Sequence, residues 1–193
     1  MKYVHAGILA SLLVVAGGCD LEEVDRPEQA EIEKPQETTA PDLEHFQEVE
    51  VANVLMQPRT QTFAALLKTV NEDQPKKIIP IFIGQREAEV LRLGLTGEMT
   101  TRPLTHNLTV GLIQKLGAGI EYAAVEDIQE NVFLARVFLK DAQGQLVSID
   151  SRASDAIILA VQAGRKIYIH NDIVAESGIS ADEDEPETEA IPI

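Results

Sequence analysis

Cysteine and aromatic residues are nearly absent from this sequence, and their scarcity narrows the kinds of site it can contain. Cys19 is the single cysteine among 193 residues, tryptophan is absent, and aromatic residues make up 4%. One cysteine cannot form a disulfide within the chain, and it excludes a cysteine-rich zinc site. Hydrophobic residues still reach 45%, so the core must be aliphatic. The length suits one domain with appendages.

Basic residues are scarce at both ends of the chain, which carries a net charge of −16. Between Asp20 and Gln47 ten acids face two bases, and residues 180–193 hold six acids and no base. Such acidic runs are typical of solvated, extended segments. The sequence therefore predicts an acidic tether at residues 19–47, a folded domain at 48–179 and an acidic tail at 180–193.

A long hydrophobic run is also missing, because the apolar stretch Ile8–Ala16 is too short for a stable membrane span. With Lys2 before it and small residues after it, this stretch predicts a secretion signal over residues 1–18. The small residues directly before Cys19 resemble a bacterial lipobox. That resemblance implies a lipid on Cys19 and a membrane-anchored protein that faces the periplasm or the cell exterior. A buried or free thiol is the alternative.

The domain shows strand and helix patterns in mixed order. Strands are predicted at Val49–Val54, Thr62–Val70, Ile78–Ile83, Gly119–Ile128, Val132–Lys140, Leu146–Ser151 and Ile167–Ile169. Helices are predicted at Gln85–Leu95, from a cap at Thr105 or Asn107 to Gly117, and from a cap at Ser154 to Gly164. This order predicts an α+β fold, in which a mixed, mostly antiparallel sheet packs with about three helices.

Two details of these elements can be checked against a structure. Pro80 places its strand at an edge or a bulge, because proline has no N–H to donate to a neighbouring strand. In the second helix, the apolar stripe is predicted to be Leu108, Leu112 and Leu116.

No Walker loop, dinucleotide-binding glycine pattern, His-Glu-x-x-His stretch or nucleophile elbow is present in the sequence. Two polar islands stand out instead, Arg102–Leu108 and Asp150–Ala156, each at the predicted start of a helix. In the first, Arg102 precedes the helix and His106 lies in its first turn. Unpaired N–H groups at a helix start attract anions, and histidine can relay protons near neutral pH. The alternative is that Thr105 caps the helix and His106 bonds to a nearby loop.

The second island ends a strand and begins a buried helix. Asp150 and Asp155 are two carboxylates that could hold a hard divalent cation, and Arg152 could bind a phosphate in bidentate fashion. Glu87, in the first turn of an earlier helix, is a possible third carboxylate or simply a favourable first-turn acid. The structural alternative is an ion pair, either Asp150–Arg152 or Asp155–Arg102, that orders the turn.

The order of these segments over about Val49–Ile179 resembles the bifunctional nuclease domain family. The matching segments are Ile79-Pro80-Ile81-Phe82-Ile83-Gly84, Glu87-Ala88, Arg102-Pro103-Leu104-Thr105-His106, Leu116-Gly117 and Asp150-Ser151-Arg152-Ala153-Ser154-Asp155-Ala156-Ile157. Asn107 stands where the family usually has aspartate, and Ala153 where it has proline.

The resemblance implies a compact α+β domain that acts on RNA and DNA as a nuclease, and the partner expected for this chain is RNA or single-stranded DNA. Under this hypothesis Asp150 and Asp155, with Glu87 as a further carboxylate, hold Mg²⁺ or Mn²⁺. Arg102 and Arg152 neutralise the phosphate, and His106 is the general acid or base. The alternative function is a non-enzymatic binding or assembly module tethered to the membrane. In that module the islands are helix caps and ion pairs, at the interface of a homo-oligomer.

Overall fold

The computed structural model describes residues 41–181. The predicted signal peptide, Cys19, all but the end of the tether and nearly all of the acidic tail lie outside the described residues. Within the described part, none of the helices has the length and apolar character needed to cross a membrane.

Eight strands form one sheet in the order β6-β5-β4-β7-β1-β2-β3-β8. After a 3-10 turn at Leu43–His45, the strands are β1 Phe46–Gln57, β2 Thr62–Thr69, β3 Lys77–Ile83, β4 Gly119–Gln129, β5 Val132–Lys140, β6 Leu146–Arg152, β7 Lys166–His170 and β8 Ile179–Ser180. Neighbouring strands are antiparallel except β4 and β7, which are parallel. The helices are α1 Gln85–Thr96, α2 Thr105–Lys115, α3 Ala153–Ala163 and α4 Asn171–Ser177. The predicted α+β fold is confirmed.

Pro80 lies at an edge of this sheet among the described residues, as its missing N–H predicts. β8 pairs with β3 only at Lys77 and Ile78. On its other side, Pro80 is opposite Leu66 of β2. The short β8 therefore covers the start of β3 and leaves the part that contains Pro80 without a second neighbour.

The core lies between the sheet and the helices. Every second residue of β5, namely Ala135, Val137 and Leu139, belongs to the same buried cluster as Ile157 of α3, as the alternation of side chains along a strand requires. α3 is apolar on nearly all sides and contacts α1, α2 and the sheet. Because Ile157 is fully buried, its truncation to alanine should cost about 2–5 kcal/mol of stability.

The apolar stripe predicted for α2 is wrong. Leu108, Leu112 and Leu116 are 54%, 53% and 77% exposed. The helix packs through Val110, which is buried, and Ile113, which lies against the core. His106 precedes these residues at the i, i+4, i+7 spacing of one helix face. The true inward face of α2 therefore begins with His106.

Candidate functional site

Three helices begin near one point, and none has a side-chain cap. The residues that precede their first turns are Gly84 for α1, Leu104 for α2 and Arg152 for α3, and no side chain of the three caps its helix. The predicted caps Thr105 and Ser154 are wrong, because both lie inside their helices. Asn107, in the first turn of α2, does accept a hydrogen bond from the N–H of Leu104 through Oδ1 at 3.3 Å. Helix starts without side-chain caps leave backbone N–H donors available to other acceptors.

Four side chains at these helix starts form one connected group, the helix-end cluster of Glu87, His106, Arg152 and Asp155. His106 Nε2 lies 2.9 Å from Asp155 Oδ1. Arg152 donates from Nε to Asp155 Oδ2 at 2.7 Å and from Nη2 to Glu87 Oε1 at 2.9 Å. A longer bond of 3.1 Å joins Nη2 to Asp155 Oδ1. The cluster thus joins α1, α2 and α3 through side chains far apart in sequence.

Local sequence explains how each member reaches the cluster. Glu87 and Asp155 each occupy the third position of a helix, where a carboxylate interacts favourably with the positive end of the helix dipole. Arg152 ends β6 and immediately precedes α3, so its side chain can reach both acids. Ala153 stands where the family has proline. It is the first residue of α3, a helix position at which proline is also favourable.

The electrostatics of the cluster hold Asp155 ionised. Burial raises the pKa of Asp155, but hydrogen bonds from Arg152 and His106 outweigh it, so that pKa lies below its ordinary value. The hydrogen bonds to Asp155 and Glu87 raise the pKa of Arg152 further above its usual range. Asp155 is therefore an anion near neutral pH and accepts hydrogen bonds without donating any.

The ionised state of Asp155 assigns the proton on the imidazole. Because an ionised carboxylate only accepts, His106 Nε2 must carry the proton that it shares with Asp155. The neutral ring then presents Nδ1 as an acceptor. A histidine held in this way can take a proton from a reacting hydroxyl, and the neighbouring anion stabilises the imidazolium that forms.

The cluster does not include Arg102 or Asp150. Asp150 is exposed on β6 opposite Arg136 of β5, and Arg102 is exposed in the loop before α2. The partners of Asp155 are Arg152 and His106, so the alternative ion pair Asp155–Arg102 is wrong. Arg152 likewise pairs with Asp155 and Glu87 rather than with Asp150.

The arrangement of donors does not fit the predicted divalent cation. Across residues 41–181, no three histidine, cysteine, aspartate or glutamate side chains are grouped to hold a metal ion. Both carboxylate oxygens of Asp155 already bond to Arg152 or His106, and one oxygen of Glu87 bonds to Arg152. Asp150, the other predicted ligand, lies on the sheet with Arg136.

Sequence reasoning identified all four cluster residues as candidates but missed the His106–Asp155 contact. The missed signal was the spacing of His106, Val110 and Ile113, which marks the buried face of α2. The contacts of Arg152 with both Glu87 and Asp155 were missed too, because Glu87 is 65 residues away along the chain.

Known proteins resemble this chain over more than half of its length. Two relatives from Mycobacterium tuberculosis, strains CDC 1551 / Oshkosh and ATCC 25618 / H37Rv, are uncharacterised proteins. Each is 33% identical over 147 residues, which cover 75% of this chain and 85% of the relative. Bifunctional nuclease 2 of Oryza sativa subsp. japonica is 25% identical over 110 residues, which cover 56% of this chain and 34% of the rice protein. The bifunctional nuclease domain model matches residues 65–182, a segment that contains all four cluster residues. The chain belongs to the bifunctional nuclease domain family.

Proposed function

We propose that this protein is a phosphodiesterase that cleaves RNA or single-stranded DNA at the helix-end cluster. The observation that carries the proposal is the 2.9 Å contact between His106 and Asp155 at the joined starts of helices. A histidine–carboxylate pair supplies a general base, and helix N-termini favour phosphate. The name of the rice relative, a bifunctional nuclease, supports the same class of reaction.

In the proposed reaction, His106 Nδ1 takes the proton from the hydroxyl that attacks phosphorus. The attacking oxygen forms its bond to phosphorus while the bond to the leaving oxygen breaks. The leaving oxygen takes up a proton from solvent, and His106 then releases its proton to solvent. Asp155 holds the imidazole through Nε2 and stabilises its positive charge, as in other histidine–aspartate pairs.

Arg152 is the residue that we assign to the phosphate. Its side chain is 66% exposed, and its bonds to Asp155 and Glu87 use Nε and Nη2. Nη1 therefore remains to donate to a phosphate oxygen, and the backbone N–H groups of the nearby helix starts add further donors. The two acids hold the guanidinium in place before the substrate arrives, which lowers the entropy cost of binding.

The acidic ends of the chain oppose nucleic-acid binding, because affinity depends on neutralising phosphates with basic residues. Affinity should therefore rest on the local cluster rather than on the net charge of −16. We expect weak binding that falls further as salt concentration rises, with a small salt dependence because few phosphates are neutralised.

The direct test is cleavage of labelled RNA and single-stranded DNA oligonucleotides by the purified full-length chain. Reactions contain EDTA, Mg²⁺ or Mn²⁺, so that the metal dependence predicted from the sequence is measured in the same assay. We expect cleavage by the natural chain and a loss of at least about 100-fold in Asp155→Asn, because the imidazole loses its orienting anion. Asp150→Asn is the matched control, because Asp150 lies outside the cluster and should retain activity.

Two results would contradict the proposal. One is no cleavage under any of the three conditions by a chain whose circular dichroism shows it folded. The other is cleavage that Asp155→Asn leaves unchanged. If Asp150→Asn instead abolishes activity, Asp150 belongs to the reaction centre, as predicted from the sequence, and the helix-end cluster alone is not that centre.

A second candidate function is a non-enzymatic binding or assembly module. The observation that favours it is the bonding of Arg152 to two acids, which could serve only to join the starts of α1 and α3. In that case Arg152→Met would lower the melting temperature, and neither RNA nor single-stranded DNA would bind or be cleaved by the natural chain.

We also propose that the domain is tethered to a membrane through a lipid on Cys19, as the lipobox resemblance suggests. The acidic tether would keep the domain away from an anionic membrane surface by charge repulsion. Fractionation of cells that express the natural chain and Cys19→Ser tests this. The natural chain should sediment with membranes and the variant should not, and equal sedimentation of both would refute the tether.

A further inference from the structure

The guanidinium of Arg152 lies between the two acids of the helix-end cluster, where a divalent cation would need to bind. Nη2 donates to Glu87 Oε1 at 2.9 Å, and Nε donates to Asp155 Oδ2 at 2.7 Å. A cation shared by these carboxylates would have to displace a positive charge that already neutralises them, and like charges repel at such distances. The positive charge that the cluster offers to an incoming phosphate is therefore that of Arg152.

Water that attacks phosphorus needs a base to take its proton and a group to hold it in line with the leaving oxygen. A bound metal ion orients the water and lowers its pKa from about 15.7 to about 7. In the helix-end cluster His106 can take a proton, but both oxygens of Asp155 are engaged by Arg152 and His106. Glu87 Oε2 lies beside Gly84 at the start of α1. The cluster therefore favours a nucleophile that the substrate itself holds in position.

The imidazole of His106 keeps one nitrogen accessible for such a nucleophile. Nε2 bonds to Asp155, whereas Nδ1 has no hydrogen-bond partner within residues 41–181. The buried side-chain nitrogen and oxygen atoms without a partner in that part of the chain belong to Tyr122, Gln162 and Asn171, so Nδ1 is not a buried atom. The His106 side chain is 17% exposed. A substrate hydroxyl can therefore approach Nδ1 while the rest of the ring stays packed.

RNA holds a hydroxyl of this kind next to each phosphorus, namely the 2′-hydroxyl of its ribose, which DNA lacks. Because this hydroxyl belongs to the substrate, no second reactant has to be bound and oriented. Well-oriented intramolecular reactions reach effective molarities of about 10⁵–10⁸ M. Attack by the 2′-hydroxyl then needs a base and a positive charge, and the cluster keeps one atom free for each role, His106 Nδ1 and Arg152 Nη1.

We propose that the helix-end cluster cleaves RNA, and not DNA, through attack of the 2′-hydroxyl on the adjacent phosphorus without a metal ion. The inference rests on the proposed nuclease function and narrows its substrate class to RNA. His106 Nδ1 takes the proton of the 2′-hydroxyl, and Arg152 Nη1 donates to a non-bridging oxygen of the phosphate. The 2′-oxygen bonds to phosphorus while the bond from phosphorus to the 5′-oxygen breaks.

The two protons of this step are balanced through solvent. The leaving 5′-oxygen takes up a proton from water, and the imidazolium of His106 later releases its proton to water. The products are one fragment that ends in a 2′,3′-cyclic phosphate and one that begins with a 5′-hydroxyl. Attack by water would instead leave a linear phosphate on one of the two fragments.

Four oligonucleotides of one base sequence test the proposal with the purified full-length chain in EDTA. The first is RNA, the second is DNA, the third is DNA with one central ribonucleotide, and the fourth carries a 2′-O-methyl nucleotide at that position. We expect cleavage of the RNA, and cleavage of the third substrate directly after its ribonucleotide. The second and fourth substrates should stay intact. Mass spectrometry at early times should show the 2′,3′-cyclic phosphate.

A contaminating ribonuclease could mimic this result, so variants are purified by the same procedure. His106→Gln should lose at least about 100-fold of the activity on the third substrate, because its base is gone. His45→Gln is the matched control, since His45 is exposed in the 3-10 turn outside the cluster, and it should cleave at the natural rate. Equal cleavage by the natural chain and His106→Gln would overturn the proposal.

The remaining outcomes separate this inference from the proposed function. Cleavage of the DNA or of the 2′-O-methyl substrate, or a linear phosphate as the first product, would overturn the 2′-hydroxyl mechanism and leave a nuclease. Cleavage that requires added Mg²⁺ or Mn²⁺ would do the same. No cleavage of any substrate, with or without these ions, would overturn both the inference and the proposed function.

Discussion

Two of the arginine–carboxylate groups within residues 41–181 look alike in composition and differ in what they can bind. One is the helix-end cluster of Glu87, His106, Arg152 and Asp155. The other is the sheet cluster of Glu126, Arg136, Phe138 and Ser148, which lies on β4, β5 and β6. Both contain an arginine whose pKa is raised by hydrogen bonds to carboxylates. Their geometry separates a candidate site from a structural ion pair.

In the sheet cluster each of the three guanidinium nitrogens of the arginine makes a hydrogen bond. Arg136 donates from Nε and Nη2 to the two oxygens of Glu126 at 2.7 and 2.6 Å, and from Nη1 to Ser148 at 3.4 Å. Its guanidinium also lies 5.1 Å from the centre of the Phe138 ring. In the helix-end cluster, by contrast, Arg152 is more exposed, spans two acids on different elements and lies next to a histidine. Arg152, whose Nη1 makes none of these bonds, can bind an anion at the helix starts, whereas Arg136 bonds through all three nitrogens within the sheet.

The largest expected effect on cleavage comes from removing the histidine, which the helix-end cluster contains and the sheet cluster lacks. His106→Ala should lower cleavage by about 10²–10⁴-fold, because the cluster loses its general base. Steady-state cleavage of an RNA oligonucleotide measures this. His45→Ala is the matched control, since His45 is exposed in the 3-10 turn and should retain full activity. Equal activity of the two variants would remove His106 from the reaction.

Parallel replacement of the two arginines tests the comparison directly. Arg152→Met should reduce cleavage by about 10²–10³-fold, as expected for loss of a charge-stabilising donor. It should lower the free energy of unfolding by only about 1 kcal/mol, because exposed ion pairs contribute little. Arg136→Met should leave activity unchanged and cost about 2 kcal/mol of stability, since Glu126 loses its partner. Urea denaturation and cleavage assays on both variants measure these effects, and the reverse pattern would exchange the roles of the two clusters.

The lowered pKa of Asp155 predicts a pH dependence of stability. A carboxyl whose pKa is lower in the folded state stabilises the protein fully above its unfolded value, near 3.8. That contribution is lost as pH falls through the lower folded value. From pH 5 downward, the difference in the free energy of unfolding between the natural chain and Asp155→Asn should therefore shrink, most steeply below about pH 4. Urea denaturation across this range tests it, and a difference independent of pH would contradict the ionised state of Asp155.

The smallest expected effect concerns the position of Glu87. The first carbon of a side chain at Gly84 would collide with the carboxylate of Glu87, so Gly84→Ala should turn Glu87 away from Arg152. We expect a few-fold loss of cleavage and a change in stability within about 0.5 kcal/mol.

Gly111→Ala is the control for the change at Gly84. Gly111 lies in the middle of α2, and a side chain there would meet nothing within 4 Å. Its replacement should add about 0.5–1 kcal/mol of stability through helix propensity and leave cleavage unchanged. If both variants cleave at the natural rate, contact between Glu87 and Arg152 has no role in the reaction.

The fold was largely predictable because its signals are local. Alternating residues marked β5, and Gly97 and Gly164 marked the ends of α1 and α3, where both adopt the left-handed conformation. The strand containing Pro80 was predicted to lie at an edge or a bulge; β3 is second from the edge, and within residues 41–181 Pro80 itself has no neighbour on the β8 side. The error at α2 arose because the helix has two apolar stripes, and sequence alone favoured the one with three leucines.

The site was predictable in its residues but not in its contacts. From the sequence, Asp150 and Arg152 formed one of the two ion pairs given as the structural alternative. The structure begins α3 directly after Arg152, so Arg152 reaches Asp155 and Glu87 while Asp150 stays opposite Arg136. A two-residue spacing within one strand could not show this, because the result depends on where the strand gives way to the helix.

The amino-acid sequence by itself determined the α+β class, the order of the elements, the family resemblance and the list of polar residues at helix starts. These properties follow from backbone preferences and side-chain spacing over a few residues. Only the tertiary structure decided that α2 turns His106 inward, that Asp155 is its partner 49 residues away, and that Arg152 rather than Arg102 joins them. Those contacts depend on how α1, α2 and α3 pack on the sheet, and that packing is set by the summed burial of many aliphatic side chains.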